Sequence, residues 1–287
     1  MRKENTIAGW QRILYIIIPY LLIVGIFQLI GGMISGVEFN NLNFQKSSEQ
    51  TLIISFFSLI GTTLVVWMFM KYIDKENFIG LGFHTKNRLN EFYLGFLIGA
   101  IIIISGFVLL QFLDEIKFQK TLFNFKELIY SILLFLAVSI TEEVLFRGYI
   151  LRNLMLSFNK YFALILSSSL FSLMHGFNPN LDLFGLVSIF IAAIFLGITY
   201  IHTKNLWFPI ALHFSWNFFQ TVLGFNVSGK NIYSVVEFSM KEKTLLNGGN
   251  FGFEGSIFSI IAMIITIAII SIYYQRKKLT TTSVTSK

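Results

Sequence analysis

Residues 128–156 read LIYSILLFLAVSITEEVLFRGYILRNLML, an apolar run with Glu142, Glu143 and Arg147 near its middle. A helix needs about 20 predominantly apolar residues to cross a bilayer, and this run is long enough. An ionisable residue at the bilayer centre costs about 2.5–3.5 kcal/mol on insertion scales, so such residues usually face a bundle interior or a water cavity. The run therefore predicts a membrane helix that carries a buried polar site.

The whole chain has the composition of a membrane protein. Of its 287 residues, 55% are apolar and 13% are charged, whereas about a quarter of the residues in soluble domains are charged. We predict an all-α, polytopic integral membrane protein with about eight transmembrane helices. The predicted spans are residues 13–33, 51–70, 92–113, 128–156, 161–175, 183–201, 206–226 and 256–274.

The distribution of charge limits the function classes and predicts the orientation. The net charge is +7, but the Lys and Arg residues are scattered between apolar runs, and no basic patch interleaved with aromatic residues indicates nucleic-acid binding. Fifteen of the 22 Lys and Arg residues fall on the side of the two termini, which predicts that both termini are cytoplasmic. The absence of cysteine excludes disulfides, thiolate metal sites and a cysteine nucleophile.

The charged residues of the fourth span differ in the partners that helix geometry offers them. Glu143 and Arg147 are four residues apart and share a helix face, while Glu142 is turned about 100° away from Glu143. A structural ion pair between Glu143 and Arg147 would need one carboxylate. Glu142 is therefore the carboxylate that is free for another role.

Three further polar residues lie in or at the ends of predicted spans. His175 ends one span, and His213 and Asn217 share a face of another because they are four residues apart. If the chain reverses near residues 159–160, Glu143 and His175 both lie about 24 Å from the turn at 1.5 Å per residue. Neighbouring antiparallel helices then bring them to a similar depth.

Three short motifs follow one another on these segments: Glu-Glu-x-x-x-Arg at 142–147, Phe-x-x-x-His at 171–175 and His-x-x-x-Asn at 213–217. In this order they resemble the motifs of the CAAX-protease and bacteriocin-processing family, also called CPBP or Abi. The resemblance implies that Glu143, Arg147 and Phe171 support the site. It divides the chain into N-terminal helices (1–126), a catalytic core formed by helices 4–7 (127–226), and a loop, last span and basic tail (227–287).

The resemblance implies proteolysis within the membrane, and the residue types suit that reaction. We assign to Glu142, assisted by His175, the activation of a water molecule for attack on a peptide carbonyl. A carboxylate in a partly dry cavity becomes a better general base because desolvation disfavours its charged form. His213 and Asn217 are the candidate donors for the oxyanion that develops, a contribution of about 2.7–4 kcal/mol per donor in hydrolases.

Alternatives of different classes stay open at this level. Glu142, His175 and His213 also form a candidate zinc site of the His₂Glu type, although no His-Glu-x-x-His pair occurs, so catalysis without a metal is preferred. A non-catalytic bacteriocin-immunity or scaffold protein and a proton-coupled transporter are the other hypotheses. The expected partners are the lipid bilayer and a peptide or protein substrate at the membrane, including prenylated proteins, while the substrate's identity and the oligomeric state are left open.

Overall fold

The computed structural model describes residues 7–39 and 45–285, with side chains as far as residue 277. Its architecture is mostly helical, as predicted. The α-helices are α1 (Gly9–Ile34), α2 (Ser48–Met68), α3 (Leu89–Phe112), α4 (Phe125–Glu143), α5 (Arg152–Ser157), α6 (Lys160–Met174), α7 (Leu183–Gly197), α8 (Tyr200–Thr203), α9 (Trp207–Val222) and α10 (Ile257–Thr285). Two π-helical segments, Phe69–Asp74 and Val144–Leu151, continue α2 and α4, and two 3-10 turns span Phe78–Leu81 and Phe253–Gly255.

Six helices in the described part of the chain are long and apolar enough to cross a bilayer: Gly9–Ile34, Ser48–Asp74, Leu89–Phe112, Phe125–Ser157, Leu183–Thr203 and Ile257–Lys277. The predicted spans at 161–175 and 206–226 form α6 and α9, which have 15 and 16 residues. These two helices are about 22–24 Å long, which is shorter than the hydrocarbon core of about 30 Å. All eight predicted segments are therefore helical, but two of them are short helices held among six longer ones.

Successive long helices reverse direction, so the connections collect on two faces of the bundle. We call the face with residues 75–88, 158–159 and 204–206 the terminal face, because α1 begins there, and the face with residues 113–124, 175–182 and 223–256 the loop face. On the terminal face the Tyr200 hydroxyl donates to the Leu81 carbonyl at 2.7 Å. On the loop face the Asn180 side-chain amide donates to the Gly229 carbonyl at 3.0 Å.

The loop face contains a two-stranded antiparallel ribbon that the sequence analysis did not predict. Strand β1 (Ile116–Thr121) pairs with β2 (Val236–Met240), with Ile116 opposite Met240. A connection outside the helices still has to satisfy its backbone N–H and C=O groups, and pairing two connections achieves this. The ribbon ties the segment before α4 to the segment after α9.

Helix α9, which carries His213 and Asn217, is held closely against α3 by small residues. A side chain at Gly95 would place its Cβ 2.5 Å from the backbone oxygen of Phe208, and one at Gly99 would lie 2.9 Å from the Ser215 hydroxyl. The Ser215 hydroxyl also donates to the Phe96 carbonyl at 2.6 Å. Glycines four residues apart permit such close helix approach in membranes, and here they fix the position of α9.

We predict that Gly95→Ala lowers the thermal unfolding midpoint of the purified protein in detergent. The new methyl group meets a backbone oxygen, which cannot rotate away, and overpacking typically costs about 1–3 kcal/mol. Gly25→Ala in α1 is the matched control, because nothing lies within 4 Å of its added Cβ. Equal midpoints for the two variants would contradict the close packing of α3 on α9.

Candidate active site

A cavity of about 340 Å³ lies among α4, α6, α7 and α9. Each of the three sequence motifs contributes to its wall, although the motifs are far apart in the chain. The motif residues that line it are Glu142, Phe171, His175, His213 and Asn217. The structure thus brings the predicted catalytic residues together, while their catalytic roles stay predictions.

A change of helix type directly follows the two glutamates of α4. The sequence predicts one helix over residues 128–156, but Val144–Leu151 is π-helical. All eight residues of this segment are buried. The Phe146 carbonyl in this segment accepts a hydrogen bond from the Ser167 hydroxyl of α6 at 3.1 Å. Short π-helical segments within α-helices are frequent at functional sites. Phe146 of this segment lines the cavity.

Glu143 accepts hydrogen bonds from two side chains in the interior of the bundle. Its Oε1 accepts from Arg147 at 2.8 Å and from Nδ1 of His213 at 2.8 Å. The side chain of Glu143 is completely buried, and that of Arg147 is 2% exposed. The predicted pair is confirmed, and the additional bond to His213 joins α4 to α9.

Arg147 is in turn fixed by two other elements. Its second terminal nitrogen donates to the Ala193 carbonyl of α7 at 2.9 Å. Its guanidinium carbon lies 4.7 Å from the centre of the Phe171 ring, a distance at which a cation is attracted to an aromatic face. Phe171 therefore supports the site as a platform for Arg147.

Phe171 also orients His175, the residue that ends α6. The two rings stack with centres 4.5 Å apart, and Nδ1 of His175 lies 2.8 Å from the Phe171 carbonyl. A carbonyl only accepts, so Nδ1 carries the proton and donates. In the neutral imidazole, Nε2 then has a free lone pair.

Glu142 faces the two histidines from the opposite wall. Its Oε2 lies 3.8 Å from Nε2 of His175 and 3.8 Å from Nε2 of His213. The same oxygen is buried and has no hydrogen-bond partner among the described residues. Since Glu143 receives Nδ1–H of His213, both neutral imidazoles present bare nitrogens to Glu142. Three electron-rich atoms thus converge on one small space.

The donor types suit zinc, and the separations between them are wider than those in an ideal tetrahedral site. Zinc bonds of 2.0–2.1 Å place neighbouring tetrahedral ligand atoms about 3.4 Å apart, and both measured separations are 3.8 Å. No group of three or more His, Asp or Glu side chains within the described ranges is arranged to hold a metal ion. The choice between a zinc site of the His₂Glu type and a site without a metal therefore stays a prediction.

Asn217 lies one helical turn beyond His213 on the same face of α9. Its side chain lines the cavity, and the residue is 6% exposed. Both of its amide protons can be donated. The i,i+4 spacing read from the sequence thus places two polar groups on one wall.

The three motifs also lie within one recognised domain. Residues 124–219, about a third of the chain, match the family model described as type II CAAX prenyl endopeptidase, Rce1-like. This part of the chain is similar to an Rce1-like domain. This confirms the resemblance to CAAX-type proteases drawn from the motifs. A comparison with curated proteins finds no significant match.

Glu254 is a cavity residue that lies outside the Rce1-like domain and that the sequence analysis missed. It occupies the 3-10 turn before α10, lines the same cavity and is 8% exposed. Its Oε1 accepts a short hydrogen bond from the backbone N–H of Ser228. In the sequence, the only indication was an acidic residue between aromatic and glycine residues just before a span.

The environment of Glu254 changes its acidity. Burial raises the pKa of its carboxyl group to about 7, against the lowering effects of the Ser228 hydrogen bonds and of His213. Both protonation states are then populated near neutral pH. The cavity therefore has a second carboxyl group, whose charge changes near neutral pH.

We predict that Arg147→Ala strongly destabilises the protein, because it leaves the carboxylate of Glu143 buried without its cation. Breaking a buried ion pair in this way costs about 3–5 kcal/mol. The measurement is the thermal unfolding midpoint in detergent together with the yield of monodisperse protein.

Arg88→Ala is the control for that variant. Arg88 pairs with Glu91 three residues later, and the two side chains are 30% and 25% exposed, so the loss should be about 0.3–0.5 kcal/mol. Similar losses for both arginines would mean that Glu143 does not depend on Arg147.

Proposed function

We propose that this protein is an intramembrane endopeptidase that hydrolyses a peptide bond in a membrane-associated protein or peptide. The observation that carries the proposal is the convergence of Glu142 Oε2 with the Nε2 atoms of His175 and His213, 3.8 Å from each. The Rce1-like match over 124–219 supports peptide hydrolysis at a membrane. The protein is a multi-pass membrane protein, and we propose that both termini are cytoplasmic.

The first step is the activation of water. A water molecule that donates one hydrogen bond to Glu142 and another to the bare Nε2 of His175 would sit between the two side chains. Glu142 accepts a proton from it as the oxygen attacks the peptide carbonyl carbon. His175 orients the nucleophile, and its own orientation is fixed by the Phe171 carbonyl and ring.

The second step is stabilisation of the tetrahedral intermediate. The side-chain amide of Asn217 donates to the oxyanion. His213 acts in this step in its imidazolium form, which carries a proton on both ring nitrogens: Nε2 donates to the oxyanion, and Nδ1 donates to Glu143. Such donors are effective because they are already in place when charge develops. Glu142 then delivers its proton to the leaving nitrogen, the C–N bond breaks, and the products are a carboxylic acid and an amine.

We propose that this chemistry proceeds without a metal. The proposal is supported by the two separations of 3.8 Å from Glu142 Oε2 to the histidine Nε2 atoms, which are wider than those between neighbouring ligands in an ideal tetrahedral zinc site. Hydrogen-bonded water can bridge such gaps at about 2.8 Å from each partner.

The wall of the cavity indicates what the substrate contacts. Leu134, Phe135 and Val138 of α4 provide an apolar side. Ser55 and Ser58 of α2 line the cavity with polar groups within a spanning helix. The polar groups can bind the backbone of an extended peptide. The apolar side can contact an apolar group of the same substrate.

We predict that Glu142→Gln abolishes peptide hydrolysis and leaves folding intact. Glutamine keeps the shape but cannot accept the proton, and general base catalysis typically contributes about 10²–10⁴-fold. The measurement is the release of peptides from membranes containing the variant or the wild-type protein, with thermal unfolding as the folding check.

Glu237→Gln on strand β2 is the control, because its side chain is 43% exposed and pairs only with Lys120 in a surface contact at 3.3 Å. It should retain full activity. A Glu142→Gln variant that keeps the biological effect of the wild type would favour a non-catalytic immunity or scaffold protein instead.

We predict that exhaustive chelation of the purified protein leaves its peptidase activity unchanged. Activity that disappears with chelator and returns with added zinc would contradict catalysis by Glu142 and water alone. The pH and the detergent are held constant. A zinc peptidase treated in parallel verifies that the chelator removes bound zinc.

A further inference from the structure

The cavity reaches the loop face and not the terminal face. The cavity-lining residues in the connections between the α-helices, including the 3-10 turn before α10, all belong to the loop face: His175, Asn178, Val227, Ser228, Lys230, Ile232 and Glu254. None of the described residues 75–88, 158–159 or 204–206 contributes to its wall. A substrate therefore approaches the catalytic residues from the loop face.

The terminal side of the cavity is filled with packed side chains. Tyr149 and Leu151 of the π-helical segment and Leu206 at the start of α9 are completely buried. Further toward that face, Arg12 and Asp74 form a buried ion pair. These contacts close the end of the cavity that lies nearest the termini.

Charge distinguishes the two faces. Of the Lys and Arg residues with described side chains, ten lie at the terminal face or at the helix ends beside it: Arg12, Lys71, Lys75, Lys86, Arg88, Arg152, Lys160, Lys204, Arg276 and Lys277. Seven lie at the loop face or at the helix ends beside it: Lys46, Lys117, Lys120, Lys126, Lys230, Lys241 and Lys243. Cytoplasmic connections of membrane proteins carry the excess of Lys and Arg, so the terminal face is the cytoplasmic one.

We propose that the catalytic cavity opens to the extracytoplasmic side of the membrane and that its substrates are exported peptides, or membrane-anchored proteins cleaved close to their outer membrane surface. The direction of opening follows from the cavity wall and the Lys and Arg distribution, while the substrate class also rests on the proposed peptidase function. A C-terminal prenylated segment of a cytosolic protein would approach the terminal face, where the cavity has no entrance.

The chain is suited to a direct test of this orientation because it contains no cysteine. Single cysteines are introduced at Lys230, an exposed residue at the cavity mouth, and at Lys86, an exposed residue of the terminal face. Spheroplasts that express Lys230→Cys or Lys86→Cys are treated with a membrane-impermeant maleimide before and after permeabilisation. Labelling in detergent verifies that both cysteines react.

The expected result is labelling of Lys230→Cys in intact spheroplasts and of Lys86→Cys only after permeabilisation. The reverse pattern, labelling of both in intact spheroplasts, or labelling of neither would overturn the proposed opening. None of these readouts depends on catalysis, and the same result is expected in a Glu142→Gln background. The labelling experiment therefore tests the proposed orientation independently of the peptidase function.

The substrate class is tested by comparing peptides from cells with wild-type protein and cells with Glu142→Gln. The proposal expects that the peptides lost in the variant come from the medium and the outer membrane surface. Differences confined to the cytosolic fraction would overturn the substrate class even where the labelling pattern is as expected. No difference in any fraction would count against the peptidase function itself.

Discussion

The carboxylate of Glu143 is the contact on which the site depends. It is sealed from solvent and accepts from Arg147 and His213 at 2.8 Å each. A buried carboxylate without such partners would be protonated or would disrupt the fold, so the three residues stabilise one another. Because Arg147 also binds the Ala193 carbonyl, this single cluster joins α4, α7 and α9, and it holds the imidazole of His213 toward Glu142.

The short helices explain how a hydrolytic site can exist within a membrane. Helices α6 and α9 are only 15 and 16 residues long, so neither fills the whole thickness of the hydrocarbon core. Irregular backbone at membrane depth is tolerated where it is buried in protein or lines a water-filled cavity. His175 lies where α6 stops, and the chain beyond it forms part of the cavity mouth. The length of α6 therefore determines the depth of His175 in the membrane.

Much of this arrangement could be predicted from the sequence. The eight helical segments, the pairing of Glu143 with Arg147 and the similar depth of Glu143 and His175 follow from hydropathy and from the helical period and rise. The bond from Glu143 to His213 could not be predicted, because nothing in one sequence shows how α9 is rotated against α4. The π-helical segment was also missed, since its residues, Val144–Leu151, have the same apolar pattern that a regular α-helix would have.

The residues that we assign to catalysis and several other residues of the cavity wall come from different parts of the chain. Glu142, His175, His213 and Asn217 lie within the Rce1-like match, whereas Ser55, Ser58, Ser228, Lys230 and Glu254 lie outside it and line the same cavity. The matched domain can therefore retain one reaction while the surrounding helices and the loop face change what enters. Glu254 illustrates this separation: burial raises its pKa to about 7, so the charge that it presents to an entering peptide depends on the pH of the compartment that the cavity faces.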